Sequence, residues 1–476
     1  MKNALFWKLL ERFGVQGVQF ILQIILARIL SPEHYGVLSL MIIFTTLANV
    51  FIQNGFNTAL IQGKDVTEED YSSVFWVSLG IATILYALLF ACAPLIAAFY
   101  EMPDIIWPFR ILAIMLFPGA LQSVQLAKIS REMNFKKVFI SNIGAIVVSG
   151  IAGIIVACMG GSLWALVVQT MLNVVVASLV MWFVVDWHPR FVCNVKRVKK
   201  LFSFGWKLLV SSLLDTLYQD IRSLVIGKKF DSETLGFYNR GNQFPLFIIG
   251  AVNGAVQSVM LPAMSSEQDN KTQVKEIMRS SVVLSAYIIF PMMAGLAGVA
   301  EPLVKFLLTD KWLPCVPYLQ IACFSFAFWP VHTCNLQAIN AVGRSDIFLK
   351  LEIVKKIMAT VLLAIAVIGF DTPIAIALTG VFSTVLSCII NAWPNKRLIN
   401  YSYAEQMKDI LPSFVLSVIM LIAVLAVQNM SVFLPLATMV IQIFAGIFIY
   451  LGLSAVCRLY PFIRLVEYIS ESVRKK

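Results

Sequence analysis

The sequence has little charge and few residues suited to reactive chemistry. Charged residues make up 13% of the 476-residue chain, about half the share of a soluble domain. Water does not solvate so apolar a surface, which excludes an ordinary soluble globular protein. No polar stretch of domain size separates the apolar runs, so no soluble appendage is expected. Histidine is scarce: His34, His188 and His332 are the three. None has a second ligand at metal spacing, and His332 with Cys334 reads as packing. The eight cysteines (Cys92, Cys158, Cys193, Cys315, Cys323, Cys334, Cys388 and Cys457) include no CxxC pair. Most lie in apolar runs, where a thiol packs as a small hydrophobe, so neither a disulfide framework nor a zinc site is read. The chain has no GxxxxGK[ST], HExxH or GxGxxG, which removes P-loop hydrolysis, a zinc protease and a dinucleotide fold. The outer loops are short and carry no catalytic constellation. No enzyme activity, catalytic residue, metal or cofactor is expected.

What is present is hydrophobic: 59% of residues. Apolar runs of about 20 residues, the length that spans a bilayer, recur along the chain. They predict an all-α polytopic membrane protein with about 14 transmembrane helices. Lys2 and Lys8 before an apolar run imitate a signal peptide, but Glu11 and Arg12 interrupt it, so the first helix is expected to stay uncleaved. The net charge of +11 reads as contact with anionic lipid heads, with no nucleic-acid partner. With the N-terminus in the cytoplasm, most Lys and Arg fall on cytoplasmic ends. The outer ends hold only Arg28, Arg110, Lys228, Lys229, Lys305 and Lys311. That bias predicts both termini inside.

The chain resembles itself. Arg28, Glu33 and Gly36 match Lys228, Glu233 and Gly236 at one offset, in segments that join the first two helices of each half. Pro94, Pro108, Pro118 and Gln125 have counterparts, in order, at Pro302, Pro317, Pro330 and Gln337. A parallel repeat of two six-helix lobes, plus two C-terminal helices, is predicted. The expected divisions are an N-lobe over 1–186 and a basic cytoplasmic linker over 187–203. A C-lobe over 204–395 follows, then a cytoplasmic loop over 396–408, two helices over 409–457 and a cytoplasmic tail over 458–476.

Polar side chains inside the membrane are costly and face a cavity or a partner. Arg12, Gln16, Gln19 and Gln23 share one face of the first helix. They either line a cavity or anchor the helix and bond its neighbours. The seventh helix carries Asp215, Gln219, Asp220 and Arg222, and the eighth Tyr238, Asn239, Arg240, Asn242 and Gln243. Arg222 and Arg240 either hold a pyrophosphate by their planar forks or pair with Asp215 and Asp220 as structure. Lys350, Glu352, Lys355 and Lys356 on the eleventh helix either attract an anionic head group or snorkel to lipid phosphates. Gln53, Asn54 and Asn57, with Gln169 and Asn173, suit sugar hydroxyls and serve equally as interhelical glue. The candidate substrate-binding set is Arg12, Gln16, Asp215, Arg222, Asn239 and Arg240.

The stretch from Ala27 to Gly36 resembles the motif after the first helix in bacterial polysaccharide transporters. So do Gly55 to Gln62, Leu235 to Arg240, Gly343 to Asp346 and Leu349 to Glu352. On these residues the chain resembles the polysaccharide transporter branch, which includes Wzx-type O-antigen flippases, of the multidrug/oligosaccharidyl-lipid/polysaccharide exporter superfamily. The resemblance runs over essentially the whole chain. It implies a flippase that moves undecaprenyl-diphosphate-linked oligosaccharide across the bacterial cytoplasmic membrane by alternating access, for lipopolysaccharide or other surface polysaccharide. The implied partners are the polyprenyl-diphosphate-linked glycan, membrane lipids, a polysaccharide polymerase and glycosyltransferases. The alternative is a cation-coupled multidrug exporter of the same superfamily. Its cavity would be rich in carboxylates and aromatics, against which Arg12, Arg222 and Arg240 argue.

Overall fold

A helix satisfies its own backbone hydrogen bonds, which is what a chain this apolar needs in lipid. Accordingly, every regular element among the described residues of the computed structural model is helical. The description covers residue 7 and residues 14–53, 56–63, 66–430 and 435–474. Close contacts divide the chain into two units, Met1–Gly236 and Phe237–Lys476.

The first unit contains α1 (Gln16–Ile29), α2 (Pro32–Gln53), α3 (Phe56–Gln62), α4 (Glu68–Phe99), α5 (Ile106–Leu112), α6 (Leu116–Glu132), α7 (Phe135–Cys158), α8 (Ser162–Val184) and α9 (Val195–Lys229). Helix α10 (Ser232–Ser265) begins in it and continues into the second unit. Pro32 opens α2, where its missing N–H costs nothing. Helices α7 and α8 pair along their length, joined by a turn in which Gly160 takes φ +84°. One core cluster gathers Leu26, Met41, Phe109, Leu112 and Leu166; another gathers Tyr71, Val74, Phe75, Ile129, Met181 and Trp187.

The basic segment after α8 is strapped onto the start of α4. Trp187 packs against Tyr71 and Phe75. The Trp76 indole donates to the Arg190 carbonyl at 2.9 Å, and its ring stacks on Phe191. The hydroxyls of Ser72 and Ser73 accept from the backbone N–H of Arg190 and Asn194. Arg197 donates to Asp70 at 2.9 Å, whose carboxylate also completes the capping box with Thr67. Helix α9 starts at Val195 with Asn194 as its cap, inside the stretch read as linker.

The matched glycines of the repeat lie at a helix crossing. A Cβ on Gly36 would stand 1.7 Å from the carbonyl oxygen of Ser232, and one on Gly236 would stand 2.1 Å from that of Pro32. The contact is reciprocal: each glycine receives the carbonyl of the residue four before its counterpart. Only glycine permits this approach, which gives the repeat's shared motif a steric reason.

The second unit contains the rest of α10, then α11 (Lys271–Gly298), α12 (Ala300–Leu308), α13 (Val316–Ala327), α14 (Trp329–Ala341), α15 (Ser345–Gly369), α16 (Pro373–Ala392), α17 (Asn395–Leu398), α18 (Tyr403–Met430), α19 (Pro435–Val456) and α20 (Tyr460–Arg474). Helix α18 docks along α11. Arg279 holds Asp409 with both prongs of its fork, at 2.8 and 2.6 Å, and the Tyr401 hydroxyl donates to the same carboxylate at 2.7 Å. The terminal segment is helical: Leu459, Phe462 and Leu465 pack on the core while Ile463 and Val466 stay exposed, as in a helix lying in a membrane interface.

Among the described residues, eleven helical segments are long and apolar enough to cross a membrane. The other three expected spans coincide with α1, α9 and α15. Helix α1 is apolar, and 14 of its residues are described; the other two fall short for a chemical reason, since α9 carries a polar face and α15 carries Lys350, Glu352, Lys355 and Lys356 in its first half.

Candidate functional site

Helix α9 divides into three faces. Lys207, Ser211, Asp215 and Gln219 recur every four residues and are all exposed, with Arg222 half-buried at the end of the row. Such spacing makes one stripe along a helix. Beside it runs a second exposed stripe, apolar, of Trp206, Val210, Leu214 and Leu217. The third face is packed: Gly205, Ser223, Ile226 and Gly227 are buried, and α9 lies against α2, α3 and α4. Gly227 lets Leu40 of α2 approach, since a Cβ there would stand 2.8 Å from its side chain. At the far end, Lys228 donates to Glu101 at 2.9 Å and lies over the Phe99 ring. That bond holds the Glu101 carboxyl below its ordinary value. Lys137 holds Asp186 low in the same way, beside the strap at the opposite end of the unit's helices.

A helix that offers a charged and hydroxylated stripe next to an apolar one suits an amphipathic cargo. The polar row can receive a head group while the apolar row receives a chain. Lys207, Asp215 and Arg222 supply charge of both signs, and Ser211 and Gln219 supply neutral hydrogen bonds.

The predicted site residues are distributed as follows. Asp215 and Arg222 share the polar row of α9. Gln16, on α1 of the same unit, is exposed, and Gln19 and Gln23 are half-buried. Arg12 lies outside the described residues, as do Lys8, Glu11 and Asn54. In the second unit Asn239 is half-buried and Arg240 is 6% exposed. Arg240 donates to Gln243 at 2.6 Å, and its guanidinium stands 5.1 Å from the ring centre of the fully buried Trp312. This stacking is worth about 1–2 kcal/mol when desolvated.

Several other amides are engaged between or within helices. Asn173 donates to Ser149 at 3.3 Å, and Gln53 to Asn49 at 3.3 Å. On α15 Lys355 pairs with Glu352, whereas Lys350 is exposed. The sequence reasoning left Lys207 and Ser211 without a role. The four-residue spacing that joins them to Asp215 and Gln219 was the available signal. Among the described residues, no group of three metal-ligating side chains occurs.

A protein-family model described as "Polysaccharide biosynthesis protein" matches residues 25–317. The chain is similar to the teichuronic acid biosynthesis protein TuaB of Bacillus subtilis, with 26% identity over 305 residues. That match covers 64% of this chain and 63% of the relative, so it spans less than two thirds of the relative's length. It is also similar to the succinoglycan biosynthesis transport protein ExoT of Rhizobium meliloti, 24% identical over 85% of this chain and 80% of that protein. A third relative is the lipopolysaccharide biosynthesis protein WzxC of Escherichia coli, 21% identical over 86% of this chain and 84% of its own. Among solved structures, the lipid II flippase MurJ in an inward closed conformation aligns with a TM-score of 0.77. It has 15% identity and covers 96% of this chain and 98% of its own. An inward-facing multidrug resistance MATE family transporter aligns with a TM-score of 0.59 and 15% identity, over 87% of this chain and 98% of that one. At such identities the structural likeness speaks for the fold.

Proposed function

Because the chain belongs to the polysaccharide biosynthesis protein family, we propose that it is a flippase for a polyprenyl-diphosphate-linked oligosaccharide. The chain is a membrane protein and a transporter rather than a catalyst. The cargo reading rests on one observation above the rest: α9 presents its polar and apolar stripes side by side, uncovered, along a single helix. An amphipathic lipid with a charged, sugar-bearing head needs both surfaces at once. A small cationic drug needs neither a continuous hydroxyl and amide row nor a basic end to it.

In this reading α1, α9 and α15 cross the bilayer with the eleven apolar spans, giving 14, with both termini in the cytoplasm and two six-helix lobes that alternate access. The polar face of α9 explains its low hydropathy, since a helix lining a water-filled path needs less apolar surface than one facing lipid. The membrane is the bacterial cytoplasmic (inner) membrane, and the cargo carrier is undecaprenyl diphosphate. Gln16, Asp215 and Arg222 contact the head group, together with Arg12 and Asn239. Arg240 acts through its charge from its stacked position. The Gly36–Gly236 crossing supports alternating access, because a backbone contact without interlocking side chains can part and reform.

Reconstitution tests the function. Purified protein in proteoliposomes is expected to redistribute a fluorescent polyprenyl-diphosphate glycan between leaflets and to leave a cationic dye unmoved. Export of the dye with an unmoved glycan would instead identify the multidrug exporter.

A further inference from the structure

The strap between α8 and α9 presents a surface that the packing of the first unit leaves uncovered. Phe191 is 92% exposed, although one face of its ring stacks on Trp76 with 5.1 Å between centres. Val192 and Val195 follow it and are exposed as well. Apolar side chains grouped in this way mark a place that something other than water covers.

Cations stand among them. Arg197 is engaged with Asp70 and Glu69, and Lys137 with Asp186. Arg190, Lys196 and Lys199 are exposed, and among the described residues none of their side chains pairs with a carboxylate. Three uncompensated positive charges are therefore interleaved with three uncovered apolar side chains.

Helix α4 fixes the level at which this surface lies. It is long and apolar enough to cross a membrane. Its outward face runs from the half-buried Trp76 through the exposed Gly80, Ile84, Leu88 and Leu95, at helical spacing. That face is apolar and suits lipid. The charged residues Glu68, Glu69 and Asp70 precede it. Trp76 thus marks the step from charged to apolar surface, the level at which tryptophan gathers in a bilayer. The bonds of Ser72, Ser73 and Trp76 to the strap's backbone hold it at that level. Phe191, stacked on Trp76, therefore sits at the head of the lipid-facing side of α4.

We propose that the strap is a docking surface for anionic phospholipid. Phe191, Val192 and Val195 enter the boundary between head groups and acyl chains, and Arg190, Lys196 and Lys199 hold the phosphates. A zwitterionic lipid offers the same chains but carries no net charge for the cations, so the surface discriminates by charge. Helix α9 begins at Val195, so the docked lipid also anchors the first turn of the helix that carries the polar row. The proposal rests on the membrane-spanning fold and is independent of the cargo.

The test places a photo-crosslinking phenylalanine analogue at position 191 of the full chain. The protein is reconstituted in vesicles of phosphatidylglycerol and phosphatidylcholine in equal amounts, and mass spectrometry identifies the lipid adducts. Phosphatidylglycerol adducts are expected to exceed phosphatidylcholine adducts by about fivefold. The same analogue at position 84, further along the outward face of α4, is expected to take both lipids equally. In the triple variant Arg190→Gln/Lys196→Gln/Lys199→Gln, adducts at position 191 are expected to persist while the preference falls to parity. All three residues are exposed, so the fold is expected to survive. Equal adducts at position 191 in the wild type would overturn the proposal, as would a preference that survives in the triple variant. Absence of lipid adducts there would show that water or a protein covers the strap, and would overturn it too. With a trace of polyprenyl-diphosphate glycan added, the phosphatidylglycerol adducts are expected to remain. Their replacement by glycan adducts would assign the strap to the cargo path instead. A preference for phosphatidylglycerol in protein that moves no glycan would sink the flippase reading and leave the lipid dock standing.

Discussion

Replacing Gly36 by alanine tests the helix crossing, because the added atom has nowhere to go. Its Cβ would sit 1.7 Å from a backbone carbonyl oxygen, whereas ordinary contact begins at 3.4 Å. The two helix starts must therefore part by roughly 1.7 Å, and no rotamer change relieves a backbone clash. Overpacking of this kind costs about 1–3 kcal/mol. At the midpoint, about 2 kcal/mol shifts the balance between crossed and parted helices by roughly thirtyfold. Gly80→Ala is the control: it lies on α4 with open space around its Cβ, and alanine there should stabilise by about 0.5–1 kcal/mol. Gly36→Ala is expected to lower the thermal midpoint in detergent, and Gly80→Ala to leave it unchanged or raise it. The double variant Gly36→Ala/Gly236→Ala should cost less than the sum of the singles, since one parting relieves both contacts. If Gly36→Ala is as stable as Gly80→Ala, or if the two losses simply add, the crossing does not hold the chain as described.

Three further outcomes are expected. Asp215→Leu with Gln219→Leu should lower glycan movement at least tenfold while leaving insertion and thermal stability near wild type, because both side chains are exposed; unaltered movement would return the polar row to a structural role. Arg197→Ala leaves the buried Asp70 carboxylate with its capping bonds alone, and should destabilise the first unit by about 1–2 kcal/mol, discounted because Arg197 is partly exposed; limited proteolysis across residues 186–194 should accelerate, and an unchanged cleavage rate would count against the strap. Glu101 is held below its ordinary value of 4.5 by the Lys228 bond. Its contribution is therefore fully present above that value and is lost as the pH falls through the depressed folded value. Glu101→Gln should flatten that acid limb of the stability profile, and an identical limb would show that the pair adds nothing.

Much of this organisation is legible in the sequence because lipid imposes it. Apolar runs of bilayer length mark the helices, and the matched Gly36 and Gly236 segments can be found by eye. The reason for the match appears only when Ser232 and Pro32 are seen against the two glycines. The basic linker reads as a charge run. That it is strapped down depends on Trp76, Ser72 and Ser73 meeting residues more than a hundred positions away, which periodicity does not encode. The row from Lys207 to Arg222 is half-visible: Asp215, Gln219 and Arg222 stand out, and Lys207 and Ser211 do not. Arg240 reads as a phosphate ligand from its type alone, but its stacking on Trp312 needs two helical segments brought together.

The central claim is that a glycan-bearing head group travels along the polar row of α9. A photo-crosslinking amino acid placed in turn at Ser211, Asp215 and Gln219, and at the packed positions Ser223 and Ile226, tests it with a radiolabelled polyprenyl-diphosphate glycan. Head-group adducts are expected at the first three positions and not at the last two. Adducts spread evenly over all five, or absent from the exposed row, would contradict the account.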